Sequence, residues 1–314
     1  MDIAITGSSG LIGSALADRL RKDGHRVRPV VRRPAANADE IRWDPTGGTI
    51  ETEKLEGVGA VVHLAGAGIG DERWTPERKK EIRESRTIGT GTIARAVADA
   101  KVPVLVSGSG VDLYGDRGDE VLSEDSSPGD SFLARVCIDW EGATASAAQA
   151  GARVACIRTS MVLTPRGGAL TKLLPLFRLG LGGRMGSGRQ WWSWISLDDE
   201  VDAIRHLLTN DAEGPHNLCA PTPVTNADFA KTLGRVLRRP AVLPVPSFGP
   251  RLVVGKELAV TLLEESKRAV PARLESSGYA FAHPTLETAL RAQLRSVTTS
   301  AACEARRRAG TPRR

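Results

Sequence analysis

The feature that most limits how this chain can fold is the run TGSSGLIG at residues 6–13. It follows directly on a short apolar run, IAIT at 3–6, and opens into LIGSALADRLRKDG at 11–24, whose apolar residues recur at helical spacing. Gly7 permits a tight turn between strand and helix, Gly10 lets the backbone approach a pyrophosphate, and Gly13 lets the helix pack closely on the strand. The free amides of the first helical turn then face the anion, helped by the helix dipole. Glycines at this spacing are a weak signal by themselves. Their place between a strand and a helix makes the stronger case, and the chain reads first as a dinucleotide-binding α/β protein.

The first 160 residues repeat that rhythm. Strand candidates are HRVRPVVRR (25–33), AVVHLAG (60–66), VPVLVSGS (102–109) and RVACIRTS (153–160), with helical stretches at 76–100 and 131–150. Strand, helix and strand in repetition mean parallel pairing with helices on both faces, a Rossmann-type doubly wound sheet. After residue 160 the pattern changes. The segment 167–195 is Gly-rich with clustered aromatic and basic residues. A helix at 196–210 begins with a Ser N-cap and acids in its first turn, HNLCA (216–220) is a short strand, and 224–239 is a helix capped by Thr225 or Asn226. The expected division is a Rossmann domain over 1–160, to whose sheet later segments return, a smaller C-terminal substrate lobe over 161–294, and a basic tail over 295–314.

The end of the second strand selects the dinucleotide. A site for NAD usually carries Asp or Glu there, accepting from the ribose 2′-hydroxyl. This strand ends VVRRP, and the guanidinium groups of Arg32 and Arg33 suit a 2′-phosphate. NADP(H) is favoured; a pair of merely exposed surface arginines is the alternative.

Composition narrows the rest. Of the 314 residues 41% are hydrophobic and 25% charged, ordinary for a globular protein. Of the net charge of +6, residues 296–314 hold +4: Arg306, Arg307, Arg308, Arg313 and Arg314 against Glu304. A frayed, solvated terminus is preferred to a nucleic-acid contact for this segment, which has no aromatic residue. Cys137, Cys156, Cys219 and Cys303 form no CxxC pair and no metal-ligand spacing, which predicts reduced thiols and no metal. The start MDIAITG has no basic n-region of a signal peptide, and no stretch reaches the ~18 apolar residues that cross a bilayer, so a cytoplasmic protein without membrane contact is expected.

Several segments together resemble a known family. They are the turn at Thr6, HLAG at His63–Gly66, IRWDP (41–45), ERWTPERKKEIRESRTIGT (72–90) and LYGDRGDE (113–120). FLARVCIDWE (132–141), RTSMVLTPRGGAL (158–170), FRLGLGGRMGSGRQWWSWISLDDEV (177–201), GPHNLCAPTPVTNADF (214–229) and VPARLESSGYAFAHPTLETAL (270–290) complete the set. The chain is similar to extended short-chain dehydrogenase/reductases, and within them to the atypical branch of "epimerase family" proteins, also called nucleoside-diphosphate-sugar epimerase-like. The resemblance covers about residues 1–294. It implies a Rossmann domain, NADP(H) binding and a small C-terminal domain of unknown function, with no settled substrate. Thr6, Gly7, Gly10, Leu11, Ile12 and Gly13 would hold the pyrophosphate and Arg32 the 2′-phosphate. His63, Leu64, Ala65 and Gly66 would line the adenosine and ribose side. Arg86 is a further polar contact, with an exposed helix arginine as the alternative. Members of the superfamily often pair through the two long helices, here 76–100 and 131–150, which leaves a homodimer open.

The usual catalytic pattern of that superfamily is broken here. It combines a Ser with YxxxK on one helix face; the Tyr moves a proton and the Lys lowers its pKa. The fourth strand ends VSGSG, so Ser107 or Ser109 can play the serine, with Ser109 preferred. Aligned on Glu141, the Tyr and Lys positions fall on Leu133 and Cys137. Neither carries the chemistry. Tyr114, which follows the serine strand, is the substitute considered, although the tyrosine of this YG pair usually shapes the pocket. Asp112 is a local base or a loop cap, Arg166 and Lys172 bind a substrate anion or lie on the surface, and Cys137 is a buried thiol before it is a redox group. Trp192 and Trp194 share a strand face and Trp191 points the other way; packing between lobes is preferred to covering a substrate ring. Two functions remain: an NADP(H)-dependent oxidoreductase or epimerase acting on a small carbonyl or sugar-like substrate, and an NADP(H)-binding sensor or regulatory protein without turnover.

Overall fold

The alternation of apolar runs and amphipathic segments folds into one twisted sheet with helices on both faces, and a smaller lobe at one end of it. The computed structural model describes residues 1–245 and 248–295. In chain order the first half contains β1 (Asp2–Thr6), α1 (Leu11–Lys22), β2 (Arg26–Val31), β3 (Ile41–Asp44), β4 (Thr49–Ile50), β5 (Ala60–His63), α2 (Pro76–Asp99), β6 (Val104–Gly110), β7 (Val121–Leu122), α3 (Phe132–Gly142), α4 (Ala145–Gln149) and β8 (Arg153–Thr159). The second half adds β9 (Met161–Leu163), α5 (Gly168–Arg178), β10 (Trp191–Trp192), β11 (Trp194–Ser196), α6 (Leu197–Thr209), β12 (Gly214–Leu218), β13 (Val224–Thr225), α7 (Asn226–Leu237), α8 (Phe248–Val254), α9 (Lys256–Ala259), β14 (Arg268–Ala269) and α10 (Ala272–Ser276). Residues 286–295 are also helical.

The strand order of the main sheet is β12-β8-β6-β5-β1-β2-β3-β4. All its pairs are parallel except β3 with β4. From β1 the chain builds outward through β2 and β3, then returns to the other side of β1 at β5. The order reverses there, which opens a crevice at the carboxyl ends of β1 and β5, where such sheets bind ligands. The doubly wound fold read from the sequence is the one observed.

Side chains alternate across the sheet, so each strand feeds two cores. Ile3, Ile5, Val62, Val106 and Ile157 pack against Leu16 and Leu20 of α1 and Val201 and Ile204 of α6. On the other face Ala4, Val61, Leu105 and Val154 meet Ile93 and Val97 of α2 and Ala147 of α4. Burying each of the larger aliphatics stabilises the fold by roughly 1.5–3 kcal/mol. The lobe has its own core around Leu174, Trp192, Trp194, Phe229 and Leu290. Trp192 and Trp194 therefore pack inside the lobe's own core, rather than between the lobes as the sequence suggested. Trp191 points away, donating its indole N–H to Asp119 at 2.8 Å with the Arg268 guanidinium 4.1 Å over its ring.

Two details differ from the sequence reading. IRWDP holds a strand, β3, whose Ile41 and Trp43 are buried while Arg42 and Asp44 are exposed. The helix expected over 131–150 breaks into α3 and α4, because Thr144 turns its hydroxyl back to the Glu141 carbonyl at 2.7 Å. After β11 the chain passes back to the main sheet, where α6 packs on α1 and β12 pairs with β8. The caps read from sequence are present, with Ser196 on α6 and Thr225, rather than Asn226, on α7. Among the described residues no helix is long and apolar enough to cross a membrane. The basic tail, from residue 296 onward, lies outside the described residues, as does Cys303.

Candidate active site

The glycine turn sits at the crevice. Gly7 has φ +65°, in the left-handed region that favours glycine, and a Cβ there would lie 3.0 Å from the backbone of Leu64. A Cβ on Gly13 would lie 2.2 Å from the Gly7 carbonyl oxygen, so only glycine lets α1 start this close to β1. Gly10 meets nothing but that same oxygen, at 3.2 Å, and is open on its other side. Helix α1 begins at Gly10 with no side-chain cap and no acid in its first turn. Helices α2, α3, α6 and α7 are capped by Thr75, Ser131, Ser196 and Thr225. The first amides of α1, around Leu11 and Ile12, thus keep their donors for an anion.

Thr6 and His63 fasten the two strands beside that turn. Thr6 Oγ1 accepts from the amides of Leu64 (3.0 Å) and Ala65 (3.2 Å), so its own proton goes to Nδ1 of His63 at 2.8 Å. The imidazole proton is left on Nε2, which has no hydrogen-bond partner; the ring stands edge-on to Trp43 with centroids 5.8 Å apart. Burial, with Arg86 nearby, lowers the His63 pKa to about 3. It is a neutral strut between the two strands.

Arg86 is buried, not an exposed helix arginine. Its guanidinium donates to the Ala67 and Ile82 carbonyls at 3.0 and 3.1 Å, lies 4.9 Å from the Trp140 ring centroid, and crowds Gly66, where a Cβ would meet it at 3.3 Å. No carboxylate lies within 4.0 Å of it among the described residues, and burial lowers its pKa. A buried cation with no carboxylate in ion-pair contact among the described residues, Asp112 acting on it from beyond that distance, thus lies beside Gly66.

At the end of β2 the two arginines differ. Arg33 grips Glu40 through both nitrogens, at 2.6 and 2.5 Å, and holds that carboxylate's pKa down at about 2. Arg32 is exposed and makes no hydrogen bond or ion pair among the described residues. The acid nearest the strand end is thus consumed, and one guanidinium is left free.

The register places Ser109, Arg158 and Asn217 side by side on β6, β8 and β12. Ser109 donates its hydroxyl proton to Glu141 at 2.6 Å. Arg158 binds both oxygens of Glu141 (2.8 and 2.9 Å) and donates to the Tyr114 hydroxyl at 2.9 Å. Tyr114 in turn donates to Asn217 Oδ1 at 2.7 Å. Tyr114 is fully buried, and burial raises its pKa to about 12. Both hydroxyls considered for catalysis are therefore committed inside one polar chain, which favours a positioning role for Ser109 and Tyr114 over proton transfer. Ser107 is buried with no partner for its hydroxyl. Leu133 and Cys137 are buried too, and burial pushes the Cys137 thiol up to about 12, so it is no thiolate.

The lobe closes over this edge. Lys172 reaches from α5 to the Gly70 carbonyl at 2.8 Å, and Gly167 abuts Leu11. Lys267 is buried with its ammonium against Asp112 Oδ1 and Glu265 Oε2, both at 2.9 Å, and the Thr261 carbonyl at 2.7 Å. A cleft of about 400 Å³ opens next to it, lined by Tyr114–Arg117, Pro128–Ser131 and Glu265. Among the described residues no cluster of His, Cys, Asp and Glu is arranged to hold a metal.

Residues 3–219 match the NAD dependent epimerase/dehydratase family, more than half of the chain. The chain belongs to that family. Residues 245–293 match a second model, a domain of unknown function, DUF1731. An epimerase family protein of Mycobacterium bovis is 46% identical over 289 residues, covering 92% of this chain and 96% of the relative. The human epimerase family protein SDR39U1, whose crystal structure was determined with NADPH, is 34% identical with a TM-score of 0.83 and covers 93% of this chain and 98% of that one. The nucleoside-diphosphate sugar epimerase from Corynebacterium glutamicum is 38% identical with a TM-score of 0.77; the match covers 94% of this chain and 58% of that longer one.

As an epimerase/dehydratase family member the chain carries the glycine turn where the sequence placed it. The residues sequence reasoning missed are Glu141, Arg158, Asn217, Glu265 and Lys267. Glu141 was used only as an alignment anchor. A polar side chain at the ends of three strands was the available signal for Arg158 and Asn217 beside Ser109; nothing local marked Glu265 or Lys267.

Proposed function

We propose that the protein is an NADP(H)-dependent oxidoreductase or epimerase acting on a small carbonyl or sugar-like substrate in the cytoplasm. The observation that carries this reading is the pairing of an uncapped, glycine-lined helix start at Gly10 with a free guanidinium, Arg32, at the end of β2. The NADPH in the structure of the human relative supports the same choice. The three described cysteines are free and buried, which suits a reducing compartment.

The residues present fit the dinucleotide. Thr6 and Gly7 fix the turn, and Gly10, whose own amide is held by the Gly7 carbonyl at 2.9 Å, leaves room for the phosphates. The amides of Leu11, Ile12 and Gly13 bind the pyrophosphate, and Arg32 takes the 2′-phosphate while Arg33 keeps Glu40 away from it. His63, Leu64, Ala65 and Gly66 form the adjoining wall, and Arg86 supplies positive charge behind it. Bound NADPH supplies a hydride. Ser109, Glu141, Arg158 and Tyr114 keep the ends of β6 and β8 rigid beneath the reacting groups, and the lobe excludes water through Lys172 and Gly167. A second copy packing on the outer faces of α2 and α3 would cover Ile88 and Ile138, which are exposed there.

The test is NADPH oxidation against a panel of aldehydes, ketones and nucleotide sugars. Turnover of any member supports the enzyme. Tight NADPH binding with no turnover on any of them favours the second reading, a cofactor sensor. The observation favouring that second reading is the commitment of the Ser109 and Tyr114 hydroxyls inside the protein.

A further inference from the structure

The site described so far lacks a group to move a proton. Two carboxylates, Asp112 and Glu265, face one ammonium, Lys267, each with an oxygen 2.9 Å from its nitrogen, and the ammonium donates a hydrogen bond to the Thr261 carbonyl at 2.7 Å. The two carboxylates thus share one contacting ammonium in a largely buried cluster, with the Arg86 guanidinium facing it from beyond ion-pair distance, and burial favours a proton on one of them. Asp112 abuts the end of β6: a Cβ on Gly110 would lie 3.5 Å from Asp112 Oδ2 and 3.7 Å from Cys137 Sγ. Glu265 lies on the other side and lines the cleft of about 400 Å³. Its Oε2 is buried against Lys267, and Oε1 makes no hydrogen bond, which leaves that oxygen for the cleft.

We propose that Glu265 is the acid/base group of the cleft, held in place by Lys267, which it shares with Asp112. The proposal rests on the oxidoreductase reading. A carbonyl reduced in the cleft accepts a hydride with its electron pair at carbon, from NADPH, and a proton at oxygen from Glu265 Oε1. The C=O π bond breaks, C–H and O–H bonds form, and the dinucleotide is left oxidised. The new Glu265 carboxylate faces the Lys267 ammonium and regains its proton from water at the cleft mouth. In the oxidising direction the hydroxyl proton passes to the Glu265 carboxylate. Lys267 and Asp112 are positioning residues. The charged and titratable groups facing the cluster are Arg86 from α2, Cys137 from α3 and Asp116 from the turn after Tyr114. Burial raises the Glu265 pKa, with Asp112 and Asp116 adding to it and Lys267 opposing.

The test uses carbon-detected NMR titration of side-chain carboxyls in the cofactor-free full chain, with Glu265→Gln identifying the signal. The expected result is a Glu265 titration above the ordinary carboxylate range that moves down in Asp112→Asn and up in Lys267→Met. A Glu265 signal at the ordinary value, or one that Asp112→Asn leaves in place, overturns the proposal, and the latter variant decides if Lys267→Met does not fold. With any carbonyl that the panel shows to be turned over, Glu265→Gln is expected to lower kcat at least a hundredfold with NADPH affinity unchanged. Retained kcat also overturns it. An absence of turnover in the wild type while Glu265 titrates as stated counts against the oxidoreductase reading and leaves the proton site standing.

Discussion

Thr6 and His63, the last residues of two adjacent parallel strands, are joined by a 2.8 Å hydrogen bond, and the same Thr6 oxygen accepts the amides of Leu64 and Ala65. One hydroxyl thus sets the distance between the glycine turn and the neighbouring wall of the crevice. Thr6→Val keeps the shape and strands two amides and a ring nitrogen. A destabilisation of about 2–4 kcal/mol is expected in urea unfolding, together with weaker NADPH binding.

His63 makes the same contact sensitive to acid. Its pKa in the fold is about 3 against 6.5 in the unfolded chain. The neutral ring therefore contributes stability that is complete above pH 6.5 and is lost as pH falls toward 3, at most about 1.4 kcal/mol per unit. His63→Gln should flatten stability between pH 6.5 and 4 relative to wild type in thermal unfolding at matched ionic strength. An unchanged slope would show that the acid lability has another source.

Glu200 predicts the opposite dependence. It is fully buried on α6, with Thr159 donating to one oxygen at 2.7 Å and the other oxygen unpartnered, and burial raises its pKa to about 8. A carboxyl whose folded pKa is raised gives stability present below the unfolded value, near 4.5, and lost as pH rises through 8. Glu200→Gln, which cannot ionise, should match or exceed the wild type in Tm at pH 9 while gaining nothing at pH 5.

The Glu141–Arg158 pair is held between β8 and α3 with little exposure on either side. Arg158→Met leaves the Glu141 carboxylate without its counter-ion, with only the Ser109 hydroxyl still donating to it, and removes the guanidinium that donates to the Tyr114 hydroxyl. A loss of about 3–5 kcal/mol is expected in denaturant unfolding, and Glu141→Gln in the same background should recover part of it.

How far the sequence could be read follows from how local each signal is. The glycine turn, the capped helices and five strands are set by contiguous residues, and each appears where the residues placed it. Strand β3 escaped because four residues with two apolar side chains give too short a period to recognise. The break at Thr144 depends on a hydroxyl that chooses its own helix's carbonyl, which spacing does not reveal. Ser109 was visible as a serine at a strand end, but its partner Glu141 lies on a helix 32 residues later, and register alone brings Arg158 and Asn217 beside it. Glu265 and Lys267 arrive from the lobe about 150 residues after Asp112, through a pairing of β14 with β7 that two-residue strands do not announce.

The central claim is that the crevice takes NADP(H), with the 2′-phosphate on Arg32. The most direct measurement is a comparison of NADPH and NADH dissociation constants for the wild type and Arg32→Ala by titration calorimetry. The account predicts that the wild type prefers NADPH and that Arg32→Ala weakens NADPH binding by roughly ten- to a hundredfold, from the loss of a charge-assisted contact, with NADH nearly unaffected. Equal affinity for both dinucleotides in the wild type, or NADPH affinity unchanged in Arg32→Ala, would contradict it.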